Sequence, residues 1–195
     1  AVVKHFPGHG DTRTDSHKSL PVIQQPAARM DSVELYPFRK LAENGVAGIM
    51  TGHLSVPVYD PSGRPASLSR TIVEGILHGK LKFKGIVVTD AMNMNSISLS
   101  SGKAEVQALK AGNDLLEFVP NIPKAVAEIE KAVQSGILTV SDIDNKCRKI
   151  LALKRWLGLN EYHPADLSGI ERRLNLPGDQ LLRRQLTESS ITVLK

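Results

Sequence analysis

The sequence GIVVTDAM, residues 85–92, is a short run of β-branched and apolar residues that leads to a carboxylate. An apolar run of this length is typical of a strand that is buried on both faces, as in a parallel sheet. Three further stretches have the same character: AVVKH (1–5), VAGIMTGH (46–53) and DLLEFV (114–119). We therefore predict four short strands at these positions.

Segments with helical periodicity separate the predicted strands and continue after the last one. They are residues 31–45, 69–79, 102–112, 121–136 and 141–157. Four of them begin with a residue type that caps helix N-termini. These predicted caps are Asp31, Ser69, Asn121 and Ser141. The alternation of strands and helices predicts a parallel sheet with right-handed crossovers.

The predicted fold class is α/β, and the polar residues favour part of a TIM (β/α)₈ barrel. Lys4, His5, His53 and Asp90 follow or end predicted strands, where barrel enzymes carry their catalytic groups. No G-x-G-x-x-G or G-x-x-x-x-G-K-[ST] motif follows a strand, which argues against a nucleotide-binding doubly wound fold. Four β/α units make up half of a barrel, whose usual length is ~250 residues.

The composition disfavours several classes of protein. Of the 195 residues, 41% are hydrophobic and 23% charged, which is ordinary for a folded globular chain. The net charge of +5 is accompanied by only 4% aromatic residues, so no nucleic-acid partner is expected. No apolar run approaches the roughly 18 residues of a spanning helix, so no membrane span is predicted. The single cysteine, Cys147, is expected to be buried.

The last part of the chain differs in character, and we place a domain boundary there. Residues 1–160 are assigned to the barrel portion, and residues 161–195 to a linker and the start of a following domain. In the second part, residues 180–190 form a helix candidate and ITVLK (191–195) has the pattern of an incipient strand. The chain begins without a methionine or an apolar leader, so we expect it to be cut from a longer protein.

The first 17 residues, AVVKHFPGHGDTRTDSH, concentrate ionisable side chains directly after a predicted strand. The residues alone leave three interpretations open. The first is a solvated polar loop without chemistry. The second is a metal site, since nitrogen and oxygen ligands are abundant in the loop. Its candidate ligands are His5, His9, Asp11, Asp15 and His17.

The third interpretation is a proton-transfer pair formed by Asp15 and His17. A carboxylate beside an imidazole can fix its tautomer and support its protonated form, leaving the other ring nitrogen free. Asp90 is a second candidate, because a carboxylate is costly to bury at the end of an apolar strand. Its simpler interpretation is a cap for the helix that follows.

Three motifs together are similar to one known family. KHFPGHGDTRTDSH (4–17), GIMTGH (48–53) and GIVVTDAMNM (85–94) resemble glycoside hydrolase family 3. More narrowly they resemble its beta-N-acetylglucosaminidase (beta-hexosaminidase) branch, which carries the D-S-H signature. AGNDLLEF (111–118) fits as well, so the resemblance extends over residues 1 to about 160.

The resemblance implies roles for individual residues. Asp90 would be the nucleophile that forms a glycosyl intermediate, and His17 the general acid and then the general base. Asp15 would orient His17 and tune its charge. Lys4 and His5 would hydrogen-bond sugar hydroxyls. His53 would line the pocket and take part in binding the sugar.

The resemblance also implies which part of a barrel is present. The family's barrel has further strands upstream of KHFPGHG, so this chain would hold the C-terminal half, about four β/α units. A half-barrel exposes the inner faces of its strands. We therefore expect a dimer that completes the barrel or a longer natural protein, and an isolated fragment that is nearly inactive.

The implied activity is retaining hydrolysis of terminal beta-linked N-acetylglucosamine, with peptidoglycan fragments as the expected source. No metal or organic cofactor is implied. Phosphorolysis, and a location in the bacterial cytoplasm or periplasm, are left open. Two alternatives remain: a metal-dependent hydrolase that uses His5, His9, Asp11 and His17, and a carbohydrate-binding fragment without activity.

Overall fold

A computed structural model describes residues 1–97, 102–161, 163–164 and 166–192. The chain divides into two compact units, residues 1–157 and residues 158–195. Within the described residues, the first unit contains a parallel sheet and five helices, and the second contains two helices. Among the described residues, no helix combines the length and the apolar character needed to cross a membrane.

The sheet of the first unit has four parallel strands in sequential order: β1 (Val2–Phe6), β2 (Gly48–Thr51), β3 (Ile86–Ala91) and β4 (Leu115–Glu117). The register is continuous across the two central strands, where Ile49 pairs with Val87 and Thr51 with Thr89. All four predicted strands are confirmed. Sequential order of parallel strands is the arrangement expected for successive β/α units of a barrel.

Helices follow each strand. The helix α1 covers residues 27–43 and has a π-helical middle, and α2 (Thr71–Lys80) is π-helical throughout. The remaining helices of this unit are α3 (Lys103–Ala111), α4 (Ile122–Gln134) and α5 (Val140–Trp156). A 3₁₀ turn, Ala66–Leu68, precedes α2.

The main core lies between one face of the sheet and the helices α1 and α2. Ile49 and Val87 from the central strands are fully buried there together with Leu77 of α2. Because side chains alternate along a strand, Val88 and Asp90 point to the opposite face. Leu115, which pairs with Val88, is half-exposed on the edge strand β4. The face that carries Asp90 is therefore the one that helices α1 and α2 do not cover.

Two predicted helix caps are wrong. The helix α1 begins at Ala27, directly after Pro26, so Asp31 lies inside the helix and binds Lys80 Nζ at 2.5 Å instead. The helix α5 is capped by Thr139, whose hydroxyl accepts a hydrogen bond from the backbone N–H of Asp142. Ser141 falls within the first turn. In both cases the helix begins before the residue that was predicted to cap it.

The other two predicted caps form hydrogen bonds of the expected kind. Asn121 Oδ1 accepts from the backbone N–H of Lys124, and Ser69 Oγ accepts from that of Ile72. The expectation that Cys147 is buried is wrong, because α5 buries none of its residues and the thiol is exposed.

The second unit contains α6 (Ile170–Leu174) and α7 (Pro177–Ser190). The helix predicted over residues 180–190 is confirmed, and it begins a few residues earlier than expected. The predicted strand at 191–195 lies largely outside the described residues. The assignment of this unit to a following domain stays a prediction.

Candidate active site

Asp90 and His5 meet at the carboxyl end of the sheet. Asp90 lies near the end of β3 and His5 near the end of β1, with β2 between them. His5 Nε2 is 3.5 Å from Asp90 Oδ2. The ring reaches across β2 at Gly52, where an added Cβ would lie 3.0 Å from His5 Cβ. Gly52 therefore leaves the space that the His5 side chain occupies.

The Asp90 carboxylate has a fixed orientation and a partly open face. Its Oδ1 accepts a hydrogen bond from the backbone N–H of Ala91 at 2.8 Å, and Oδ2 faces His5. The side chain is 17% exposed, so it is not turned into the packed interior. The simpler interpretation of Asp90 as a cap for the next helix is wrong, since α3 begins at Lys103 after Gly102.

His5 is kept in its neutral form. Burial lowers the pKa of His5 and outweighs the nearby Asp90 carboxylate, which raises it. Electrostatic interactions with Lys4, His9 and His17 lower this pKa further. A neutral imidazole beside Asp90 can exchange hydrogen bonds with hydroxyl groups without adding charge to the site.

Asp15 and His17 form the predicted pair on the loop after β1. Asp15 Oδ1 accepts hydrogen bonds from His17 Nδ1 and from the His17 backbone N–H, both at 2.9 Å. These two bonds, the backbone bond foremost, lower the pKa of the Asp15 carboxyl. Since Nδ1 is engaged, Nε2 is the nitrogen that remains for a reacting group. The His17 side chain is 78% exposed.

The loop packs closely against α1 at Gly8. Gly8 has φ +132°, and an added Cβ would lie 2.7 Å from Glu34 Cβ in α1. A side chain is excluded at this position on both counts. Gly10, by contrast, has no neighbouring atoms within 4 Å of an added Cβ.

The proposed metal ligands do not converge. His5 and His9 stack edge to face with ring centroids 6.1 Å apart. Asp11 Oδ2 instead accepts from Gln25 Nε2 at 2.5 Å, and His17 is bound to Asp15. In the part of the chain that the structure describes, no three His, Cys, Asp or Glu side chains are placed to hold a metal ion. In this arrangement the five candidate ligands therefore do not form a metal site.

His53 lies beside the site but is closed to it. The residue is 1% exposed, and both ring nitrogens are already bonded, to Ser67 Oγ and to the Ala91 carbonyl oxygen. No ring nitrogen is left for a sugar hydroxyl in this arrangement. Lys4, also expected to bind the sugar, is exposed on β1.

Several residues of the site were not found from the sequence. Ser67 and Asn113 hold His53 and its surroundings by hydrogen bonds between segments far apart in the chain. Asn113 belongs to the quoted AGNDLLEF stretch, which was the available signal. Ser67 had no local signal.

A groove of about 460 Å³ adjoins the loop that carries the Asp15–His17 pair. Most of its lining comes from the loop residues that directly precede Asp15, which place it next to the pair. Its lining residues are Gly10, Asp11, Thr12, Arg13, Thr14, Val22, Gln24 and Gln25.

Comparison with known proteins decides the family. Residues 1–153 match the Glycosyl hydrolase family 3 N terminal domain. The chain belongs to glycosyl hydrolase family 3. This agrees with the α/β fold seen here, a parallel sheet with helices that corresponds to part of a TIM barrel.

Proteins named as beta-N-acetylglucosaminidases are similar to most or all of this chain. The beta-N-acetylglucosaminidase/beta-glucosidase of Cellulomonas fimi is 29% identical over 206 residues, covering 100% of this chain and 36% of the relative. The structure of a family 3 beta-N-acetylglucosaminidase from Paenibacillus sp. str. FPU-7 has a TM-score of 0.81 and 39% identity over 86% of this chain and 33% of that chain.

A protein named for another activity is similar as well. The structure of a beta-glucoside phosphorylase has a TM-score of 0.80 and 28% identity, over 88% of this chain and 33% of that one. This chain spans about a third of the length of each of these relatives. The resemblance to glycoside hydrolase family 3 that the motifs predict is confirmed, and proteins named as beta-hexosaminidases are among the relatives.

Proposed function

We propose that this chain carries the catalytic residues of a retaining exo-glycosidase that hydrolyses terminal beta-linked N-acetylglucosamine. The observation that carries the proposal is the position of Asp90: a partly open carboxylate at a strand end, oriented by the Ala91 N–H and facing His5. The names of the family 3 relatives support the choice of sugar.

In the first step, an Asp90 oxygen attacks the anomeric carbon and the bond to the glycosidic oxygen breaks. His17, protonated on both nitrogens, donates the Nε2 proton to the leaving oxygen. The Asp15 carboxylate holds Nδ1–H and stabilises the imidazolium before the transfer. The products are a glycosyl ester on Asp90 and the free alcohol of the leaving group.

In the second step, the now neutral His17 takes a proton from water at Nε2. The water oxygen attacks the anomeric carbon and the ester bond to Asp90 breaks. Two displacements at one carbon give overall retention of configuration. In this scheme Lys4 and His5 bind hydroxyl groups of the sugar, and no metal or organic cofactor takes part.

Peptidoglycan fragments are the substrate source that we propose, since they supply terminal N-acetylglucosamine linked to another sugar. The leaving sugar would lie on the side of His17. The groove next to the Asp15–His17 loop adjoins that side and is polar enough to receive it.

Phosphorolysis is a second candidate, favoured by the similarity to a beta-glucoside phosphorylase. Phosphate would take the glycosyl group from Asp90 in place of water. A neutral or cationic histidine repels an incoming anion less than a glutamate would. Addition of phosphate would then increase turnover and yield a sugar phosphate.

The test uses the natural full-length protein and an aryl beta-N-acetylglucosaminide. Wild type should release the sugar first as the beta anomer, seen by proton NMR, and the Asp90→Asn variant should lose about 10³-fold or more in kcat. Release of the alpha anomer first would overturn retention. Wild-type turnover near zero and unchanged in Asp90→Asn would instead indicate a sugar-binding relic.

A further inference from the structure

We propose that His53 is a positioning residue, which orients Asp90 by holding the nearby Ala91–Met92 peptide group. A buried chain of hydrogen bonds through Ser67, Asn113 and Thr51 in turn holds His53. This deepens the proposed function and rests on Asp90 being the nucleophile. It replaces the expectation that His53 contacts the sugar.

The His53 ring has one possible hydrogen-bond assignment when neutral. Nε2 lies 3.0 Å from the Ala91 carbonyl oxygen, which can only accept, so Nε2 carries the proton. Nδ1 then accepts from the Ser67 hydroxyl at 2.6 Å. Burial lowers the pKa of His53 and outweighs the opposing effects of Ala91 and Asp90, which keeps the ring neutral.

The peptide group between Ala91 and Met92 is held at both polar atoms. Its carbonyl oxygen accepts from His53, and its N–H donates to the Glu117 carbonyl oxygen at 2.8 Å. One peptide earlier, the N–H of Ala91 donates to Asp90 Oδ1. His53 thus fixes the backbone that in turn fixes which Asp90 oxygen faces His5.

The support for His53 continues through Asn113, which is fully buried. Its amide nitrogen donates to the Ser67 carbonyl oxygen at 2.7 Å and to that of Ala108 at 2.8 Å. Its Oδ1 accepts from Thr51 Oγ1 at 2.7 Å. Two carbonyl acceptors on one side and a hydroxyl donor on the other fix the orientation of the amide.

These hydrogen bonds join four segments: the end of β2, the turn before α2, the residues just before β4, and the end of β3. A fully satisfied buried network of this kind specifies one arrangement of its segments. A nucleophile must be held within about 0.5 Å of its productive position, so loss of the network should lower turnover without removing a sugar contact.

The test compares His53→Leu, which removes both ring bonds, with His53→Gln, whose amide can still donate toward Ala91. In the full-length protein, His53→Leu should lose about ten- to a hundred-fold in kcat with little change in KM. The loss should be the same for good and poor leaving groups, since both need the nucleophile. His53→Gln should recover a large part of it.

His78 supplies a matched control, because its Nδ1 lies 2.9 Å from the Phe83 carbonyl oxygen, before the start of β3 and away from Asp90. His78→Leu should keep kcat. If His53→Leu does not fold, Ser67→Ala, which removes only the bond to Nδ1, should give a smaller loss in kcat of the same kind.

A second readout does not depend on turnover. Exchange of the Met92 amide hydrogen should accelerate about ten-fold or more in His53→Leu or Ser67→Ala and stay unchanged in His78→Leu. If kcat and Met92 exchange both match wild type in folded variants, the inference is overturned. If wild type is inactive while Met92 exchange responds as expected, the proposed function fails and the positioning contact stands.

Discussion

His5 Nε2 lies 3.5 Å from Asp90 Oδ2, across the end of the strand that separates their own strands. The approach is possible because residue 52 has no side chain: an added Cβ would lie 3.0 Å from His5 Cβ and 2.8 Å from Leu54 Cδ2. The site therefore depends on a glycine that contributes no functional group to it.

Gly52→Ala should displace His5 from Asp90. We expect a loss of stability of about 1–3 kcal/mol from overpacking and a fall in kcat/KM, measured by urea unfolding and steady-state kinetics. Gly75→Ala is the matched control, since an added Cβ there meets no atom within 4 Å and the residue lies in α2. It should be neutral or stabilising. Equal behaviour of the two variants would remove the role given to Gly52.

His17→Ala should separate substrates by leaving group. An aryl glycoside with an acidic phenol leaves without a proton, so its kcat/KM, which reports the first step alone, should fall little. A glycoside with a poor leaving group should lose about 10²–10⁴-fold, the usual contribution of a general acid. Asp15→Asn should show the same pattern with a smaller effect, because only the support of the imidazolium is lost. Equal losses for both substrates would contradict the assignment of His17 as proton donor.

Asp114, next to Asn113, is buried and is expected to contribute to stability through two hydrogen bonds. Its Oδ2 accepts from the Val87 N–H at 2.9 Å and from Lys149 Nζ at 2.5 Å, while the side chain is 4% exposed. Lys149→Met should cost about 1–3 kcal/mol of unfolding free energy, a value reduced by the partial exposure of the lysine.

The surface pair of Lys131 with Glu128 provides the comparison for that measurement. Lys131→Met should cost less than about 1 kcal/mol. Neither variant should change kcat. If chemical unfolding gives a similar loss of unfolding free energy for Lys149→Met and Lys131→Met, the buried Asp114–Lys149 pair contributes no more to stability than a surface pair.

The stability of the protein should fall as the pH decreases from 7 to 5. Burial lowers the pKa of His53 from its ordinary value of 6.5, and His5 shifts in the same direction. Below pH 6.5 the unfolded chain binds protons that the folded chain does not. The free energy of unfolding therefore decreases by at most about 1.4 kcal/mol per pH unit for each such histidine.

Carboxyl groups act in a lower pH range. Although burial opposes the effect, hydrogen bonds from Ser62 and Ser69 lower the pKa of Asp60 below 3.8, so its contribution to stability is lost only in stronger acid.

In thermal unfolding, the difference in Tm between pH 7 and 5 should be smaller for His53→Gln than for wild type. An equal or larger difference would contradict a neutral, buried His53.

The strands, the position of Asp90 and the Asp15–His17 contact could be predicted from the sequence because their signals are local. The apolar runs predicted all four strands, and the position of Asp90 directly after the apolar run GIVVT marked it as a candidate site residue. The Asp15–His17 contact follows from a spacing of two residues in a loop.

The start of α1 and the role of His53 could not be predicted, because both depend on tertiary context. Asp31 has the sequence pattern of a helix cap, but the helix begins earlier, after Pro26. The Asp31 carboxylate forms a salt bridge with Lys80 instead. Whether His53 faces a pocket or a buried chain is decided by Ser67 and Asn113, whose contacts join segments up to 62 residues apart. No short-range pattern encodes such contacts.

The most direct test of the central claim is mass spectrometry of the full-length protein after reaction with a fluorinated N-acetylglucosamine-type inactivator. The compound forms the glycosyl ester rapidly and releases it slowly, so the intermediate accumulates. The account predicts one added sugar on the peptide that contains GIVVTDAM, with the ester on Asp90. A sugar attached to any other residue would contradict it.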